Sequence, residues 1–509
     1  MSQTLIDALQ NPALYPHPVE GFQVIETHIS WVLLTGPYAY KLKKPVNFGF
    51  LDFSSLEARE HFCHEEVRLN RRTAPDLYLE VIPLTGSLDA LQLGGEGPVL
   101  DHLIKMRQFD QHGLLDHVQA RGELHAAHID ALARVIADLH TQAAIVPVDH
   151  PLGGADAVMA PVLQNFEQSR ALLEDAADLA QLDRLENWAQ TAFNRLQPLL
   201  EQRKQDGFVR ECHGDIHLAN VTLLEGEVRL FDCIEFNEPF RLIDVICDVA
   251  FVTMDLEDRG LQALSQRLIN HYLELTGDYA GLALLRFYKA YRAMVRAKIC
   301  LFGLQPGQSD EERQALLARY RRYAALAEGY SRAPRALLAI THGVSAVGKS
   351  LVALQLVEAL GAIRLRSDVE RKRLLPDADE ATLYSAAASQ QTYARLHQLA
   401  AQILADGYPV VLDATYLTRA QREAARQVAE QAGVELLILD CQAPLAQIHA
   451  WLAERQASGG DPSDATEAVI AAQLAAREPL DEAERAHSVL IDTTHADSLA
   501  PLLARLGWQ

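Results

Sequence analysis

Two short stretches of this sequence place reactive residue types at spacings suited to work on phosphates. The first is His213-Gly214-Asp215-Ile216-His217-Leu218-Ala219-Asn220, followed by Asp232 after the apolar pair Leu230-Phe231. An aspartate that can accept a hydroxyl proton, an asparagine five residues on and an aspartate on the next strand form the layout of a phosphoryl-transfer loop. The twelve-residue step from Asn220 to Asp232 leaves room for a strand, a turn at Glu225-Gly226-Glu227 and a second strand. Each type has a task. One carboxylate faces the acceptor. A neutral oxygen ligand and a second carboxylate hold a hard cation such as Mg2+ against the phosphates. An isolated aspartate in such a hairpin would read as a surface residue; the complete pattern does not.

The second stretch, Gly343-Val344-Ser345-Ala346-Val347-Gly348-Lys349-Ser350, is a complete phosphate-binding loop. It follows an apolar run ending at His342 and opens into an apolar-periodic segment, the strand and helix context the motif requires. Gly343 and Gly348 let the backbone curl so that its N–H groups face phosphates, and the helix start adds positive potential. Lys349 reaches the β- and γ-phosphates, and Ser350 is a Mg2+ ligand. Asp413 ends the apolar run Pro409–Leu412, from which its carboxylate can position Mg2+. Asp368 and Arg371 follow another short strand, at the sheet edge where open α/β folds bind ligands. Asp368 has two readings: contact with an acceptor hydroxyl, or a cap on the helix beginning near Val369.

The elements that must position these residues are legible in outline. Residues 21–53 contain aromatic and β-branched runs around a Gly-Pro turn, which predict short strands. A helix follows, capped by Ser54 or Ser55 and ended before Pro75, then two more strands near residues 77–86 and 98–109. Helical periodicity runs from about 122 to 208 and again from 243 to 330. Residues 331–335 are the best boundary. Beyond them strands alternate with helices, which implies a parallel sheet. The upstream strands should supply a phosphate-binding lysine paired with a helix glutamate. Ala39-Tyr40-Lys41 offers Lys41, with Lys43 on the same strand face and Lys44 on the other. Glu65 is the preferred partner over Glu66. The rival reading is a solvated basic edge strand.

The pattern HGDxHxxN resembles the aminoglycoside phosphotransferase-like kinases, and every fixed position is met. The resemblance implies a bilobal, protein-kinase-related fold, with Asp215 as catalytic base and Asn220 and Asp232 as metal ligands. The glycine-rich loop of protein kinases is missing. The C-terminal stretch is similar to small P-loop kinases of the zeta-toxin, gluconate-kinase and polynucleotide-kinase type. In those, an aspartate after the second strand meets the acceptor hydroxyl, and Asp368 stands there. A lid arginine covers the phosphates, for which Arg455 is the candidate and Arg477 a weaker one; a solvated helix face is an equal reading of both. The segments YAYKLKKPVNFGFLDFSSLEAREHFCHEEVRLNRR and RSDVERKR extend the resemblance to nearly the whole chain. It resembles a bacterial family of fused aminoglycoside phosphotransferase-like and AAA-type ATP-binding proteins.

The expected architecture is therefore α/β overall. Residues 1–330 form a bilobal α+β kinase domain, with a small lobe to about 110 and a helical large lobe from 111. Residues 336–509 form a P-loop domain with a parallel sheet. ATP and Mg2+ are the expected cofactors, and small hydroxylated molecules the expected acceptors. A formal charge of −22 disfavours a general nucleic-acid surface. The cluster Arg364, Arg366, Arg371, Lys372 and Arg373 keeps open a nucleotide or nucleic-acid end kinase, and a nucleotide-sensing regulator is a third reading. The six cysteines form no CxxC or zinc spacing, and no stretch reads as a signal peptide or membrane span. A cytoplasmic protein of unknown oligomeric state is the expectation.

Overall fold

The computed structural model describes residues 2–49, 51–333, 335–458, 466–495 and 497–506. They divide into two compact units, Met1–Asp255 with Tyr291–Ala324, and Leu256–Ala290 with Ala325–Gln509.

The first unit carries a six-stranded antiparallel sheet. Its strands are β1 (Gln23–Glu26), β2 (Ser30–Leu34), β3 (Tyr38–Lys43), β4 (Tyr78–Ser87), β5 (Ala90–Leu93) and β6 (Val99–Arg107), in the spatial order β1-β2-β3-β6-β4-β5. β3 therefore lies inside the sheet, where Lys41 is opposite Val32 on one side and Ile104 on the other. The solvated edge-strand reading of its lysines fails for this reason. The helix Leu56–Asn70 starts at Ser55, whose side chain accepts the Ala58 N–H, as the capping preference predicts. Its Cys63 and Val67 pack with Tyr78 and Ile104 of the sheet. Long helices follow, Ala126–Gln142, Ala155–Arg170 and Ala176–Gln205. The loop of interest lies between β7 (Val209–Glu211) and the hairpin of β8 (Val221–Leu224) and β9 (Glu227–Leu230). After it, β10 (Leu242–Asp244) pairs antiparallel with β7.

The second unit is built on a five-stranded parallel sheet, as the alternating pattern predicts. Its strands are β11 (Leu337–His342), β12 (Ile363–Arg366), β13 (Val410–Asp413), β14 (Glu435–Gln442) and β15 (Ser488–Asp492), ordered β12-β13-β11-β14-β15. β11 is central and buried along its whole length, which explains its continuous apolar run. β12 is an edge strand, and a bare edge presents unpaired N–H and C=O groups. Here the helix Gln262–Thr276 covers it. The Asn270 amide donates to the Ala362 carbonyl at 3.0 Å and accepts the Arg364 N–H at 2.7 Å. One side chain thus pairs two of the backbone groups that a sixth strand would pair. Residues 256–290, expected in the upstream domain, stand with the P-loop sheet in the compact division. Among the described residues no helix is long and apolar enough to cross a membrane.

Asn270→Ala should leave both strand groups buried without partners, at a cost of about 1–3 kcal/mol. Urea denaturation would read this as a lower midpoint. An unchanged midpoint would mean that Asn270 does not hold this edge.

Candidate functional site

The first site forms where β3, the helix Leu56–Asn70 and the loop after β7 present charged side chains to one another. Lys41 Nζ donates to Glu66 Oε1 at 2.7 Å and to Asp232 Oδ1 at 2.9 Å. The partner is Glu66 and not the expected Glu65. Glu66 faces the sheet and is fully buried, while Glu65, about 100° further round the helix, pairs with Arg68 at 2.8 Å. Lys43 is engaged as well, donating to Glu66 Oε2 at 2.6 Å and to Glu235. Burial opposes the charge on Lys41, but Asp232 and Glu66 outweigh it and hold its pKa above the ordinary lysine range. Burial raises the Glu235 pKa, whereas Glu66, facing both lysines, is pulled below the ordinary carboxylate range against its own burial. Lys44 points outward to Glu26 at 2.6 Å.

The loop brings Asp215, His217 and Asn220 together. Asn220 Nδ2 donates to the Asp215 carbonyl at 3.0 Å and to its Oδ2 at 3.2 Å. With its nitrogen so used, Asn220 can present its oxygen to a cation. Asp232 adopts a left-handed φ of 62°, a conformation aspartate tolerates better than most residues. Its side chain is 46% exposed beyond the Lys41 contact. The donor set of Asn220 and Asp232 is all oxygen and fits Mg2+.

The loop is clamped from behind. Asp248 accepts the His213 N–H at 2.7 Å and the Gly214 N–H at 2.8 Å, and lies 3.3 Å from His140 Nε2. Asp244 is held by Arg203 at 2.7 and 3.0 Å, and Asp255 accepts the Leu218 N–H at 3.0 Å. Gly214 has φ +89°, and a Cβ there would meet the Phe240 carbonyl at 2.6 Å, so only glycine fits. His140, Cys212 and Asp248 lie within 4.8 Å of one another, but the Asp248 oxygens already accept N–H bonds and act as a brace.

The second site is a cavity of about 1060 Å³ lined by Gly348, Lys349, Ser350, Asp368, Arg371 and Asp413, among others. Gly343 has φ +144°, and a Cβ would come within 2.8 Å of the Cys441 carbonyl. Lys349 Nζ donates to the Val344 carbonyl at 2.7 Å, holding the loop curled. Asp413 is 5% exposed and its Oδ2 is buried without a hydrogen-bond partner. An orphaned carboxylate oxygen in a cavity shared with Ser350 fits a hard cation. Asp368 lines the cavity without capping: the helix Ser367–Leu374 has Arg366 at its N-cap and no side-chain cap bond. Its carboxylate instead accepts from Arg371 Nη1 at 3.2 Å, and that guanidinium lies over the Tyr384 ring at 4.9 Å. Arg477 is tied to His342 at 3.2 Å and to Asp440 at 3.0 Å. The Arg455 side chain lies outside the described residues.

Several contributors were not legible in the motifs. Glu235 follows Asp232 by three residues with no distinguishing neighbour. Gln473 accepts the Ser345 N–H at 2.7 Å from a remote helix. Glu274 reaches Arg364 from Gln262–Thr276, some 90 residues upstream.

Residues 105–285 match the family model described as the phosphotransferase enzyme family, and residues 338–480 match the AAA domain model. The chain is 31% identical over 474 residues to an uncharacterized protein of Mycobacterium tuberculosis, covering 91% of this chain and 92% of that protein. A structure of a choline/ethanolamine kinase family protein from Mesorhizobium loti is similar at 12% identity, covering 64% of this chain and 99% of that one, with a TM-score of 0.38. A putative kinase from Chloroflexus aurantiacus is similar at 19% identity, covering 35% of this chain and 100% of that one, with a TM-score of 0.29.

The Asp215–His217 pair makes a pH prediction. The two side chains approach to 3.5 Å. Burial opposes ionisation of each, but the His217 charge holds the Asp215 pKa down at about 2, and Asp215 holds the His217 pKa above its ordinary value. The His217 contribution to stability is full below about pH 6.5 and is lost as pH rises through its elevated pKa. The Asp215 contribution is present above about pH 4 and is lost only as pH falls toward its depressed value. In Asp215→Asn, the His217 pKa measured by NMR titration should drop. If it stays put, the pairing is not what raises it.

Proposed function

The chain belongs to a family of two-domain kinases in which a phosphotransferase domain precedes a P-loop domain, the family it shares with its mycobacterial relative, and on that premise we propose two separate phosphoryl-transfer centres. Each transfers the γ-phosphoryl group of ATP to a hydroxyl, and the acceptors are small molecules. The observation that carries this reading is Lys41 spanning Glu66 and Asp232 at 2.7 and 2.9 Å. It joins the sheet, the helix and the catalytic loop in one charged chain, an arrangement that phosphate positioning requires.

At the first centre Lys41 binds the phosphates, and Glu66 keeps it charged and aimed. Asp215 is ionised at neutral pH and takes the proton of the attacking hydroxyl. Asn220 and Asp232 would hold Mg2+, which supplies charge neutralisation at the phosphates. At the second centre the backbone of residues 343–350 and Lys349 cradle the phosphates. Ser350 and Asp413 would hold Mg2+, Asp368 receives the acceptor proton and Arg371 positions the acceptor. Transfer at both is a matter of alignment and electrostatic stabilisation.

The test is incubation with Mg2+-ATP and a small-molecule cell extract, following metabolites that gain one phosphate. Asp215→Ala should lower first-site turnover by roughly 10²–10⁴-fold with ATP binding kept. Lys349→Ala should remove nucleotide use at the second centre alone. Products unaffected by either substitution would overturn the assignment. Products lost with Lys349→Ala only would leave the first centre without a substrate and favour a regulatory reading of it.

A further inference from the structure

Gln473 lies on the helix Glu467–Ala476, 128 residues beyond Ser345 of the phosphate-binding loop. The face that this helix turns to the cavity carries Val469, Ala472, Gln473 and Ala476, spaced as one helical stripe. Val469, Ala472 and Ala476 are apolar and leave Gln473 as the polar group of that face. It bonds twice to the loop. Its Oε1 accepts the Ser345 N–H at 2.7 Å, and its Nε2 donates to Ser345 Oγ at 3.0 Å. A backbone N–H can only donate, so the atom facing it is the amide oxygen, and the orientation of the amide is fixed. The helix is itself anchored. Ile470 is 1% exposed and packs in one core cluster with Val344 and Val347 of the loop. Arg477, just past the helix end, is tied to His342, the residue that leads into the loop.

The peptide between Val344 and Ser345 is held at both of its polar groups. Its N–H goes to Gln473, and its C=O accepts from Lys349 Nζ at 2.7 Å. Lys349 is the ammonium that reaches the β- and γ-phosphates. Gln473 therefore stands at the end of the loop that meets the outer phosphates. Its amide has two N–H donors, and Ser345 Oγ takes one. The other is left for an acceptor in the cavity. A γ-phosphoryl oxygen is such an acceptor, and a diphosphate has none at that place.

We propose that Gln473 is a specificity-determining residue of the second centre, fixing the Val344–Ser345 peptide and donating its second amide N–H to a γ-phosphate oxygen, so that the loop distinguishes ATP from ADP. This rests on the reading of residues 343–350 as a nucleotide site. It adds to that site a contact that no motif marks. The same contact favours product release, because the diphosphate left after transfer lacks this bond.

The experiment measures the dissociation constants of Mg2+-AMP-PNP and Mg2+-ADP by calorimetry in the full chain. An Asn220→Ala/Asp232→Ala background silences the first centre. Gln473→Ala should weaken AMP-PNP binding roughly ten-fold, the scale of a hydrogen bond to a charged group, and ADP binding by less than about three-fold. Gln473→Glu is nearly isosteric and still accepts the Ser345 N–H, but it sets a carboxylate against the γ-phosphate. It should weaken AMP-PNP more than Gln473→Ala does, and ADP far less. Retained ADP binding shows that the loop of each variant is folded. A residue that merely props the loop would lower both affinities equally, and that result overturns the proposal. Unchanged AMP-PNP affinity in Gln473→Ala overturns it too, as does a Gln473→Glu variant that binds AMP-PNP no more weakly than Gln473→Ala. Lys349→Ala separates the two claims. If it leaves AMP-PNP binding intact, the nucleotide-site reading fails and the proposal with it. If it abolishes binding while the Gln473 variants keep the wild-type ratio of the two affinities, only the role of Gln473 falls.

Discussion

Both units are organised around charges that water scarcely reaches. A buried ammonium or carboxylate persists only where partners replace its hydration. In the first unit Lys41 and Lys43 share Glu66, and each has a second acid, Asp232 for Lys41 and Glu235 for Lys43. Two cations thus face three carboxylates. The surplus sits toward Asp232, whose side chain is nearly half exposed, while Glu66 and Glu235 are buried. The interior is neutralised and the uncompensated charge is delivered to the surface, where a divalent cation and phosphates would complete it. The buried pairs are thus a means of aiming charge more than a source of stability, which ion pairs of this kind supply poorly.

The same economy governs the backbone. A loop that must expose a carboxylate at a fixed point cannot also join a ladder, so its N–H groups need other acceptors. Asp248 takes two of them and Asp255 a third. Asn270 does the corresponding work at β12, taking one donor and one acceptor from a strand edge. In each case a side chain on a helix substitutes for a missing strand, and helices hold such groups more firmly than loops would.

These devices set what could be read from sequence. The strands of the parallel sheet, the P-loop and the spacing of Asp215, Asn220 and Asp232 are local patterns, written within a few residues of one another. The choice between Glu65 and Glu66 was not local. Adjacent helix positions differ by about 100°, and the helix Leu56–Asn70 mixes charged residues on several faces, with Arg59 and Glu66 both buried. No apolar stripe marked which glutamate turned inward. The burial of Lys41 and Lys43 depended on β3 being flanked by β2 and β6, and β6 is more than 50 residues away in sequence. Asn270 and Glu274 carry no motif at all; their meaning comes from β12, which lies about 90 residues further on.

The helix Gln262–Thr276 exposes a difference between how families are delimited and how chains pack. Its residues match a phosphotransferase pattern, while its side chains close the edge of a P-loop sheet. A cut at residues 331–335, where composition suggests a boundary, would strip β12 of Asn270 and take Glu274 from Arg364. A bare edge strand with unpaired backbone groups is among the costlier faults a fold can carry. The segment is therefore under two constraints at once, and the second is written in only a few polar positions. Such positions are easily lost in a family pattern dominated by apolar periodicity. Where a helix inside one family's match completes the sheet of another, the polar contacts define the functional unit better than the sequence match does.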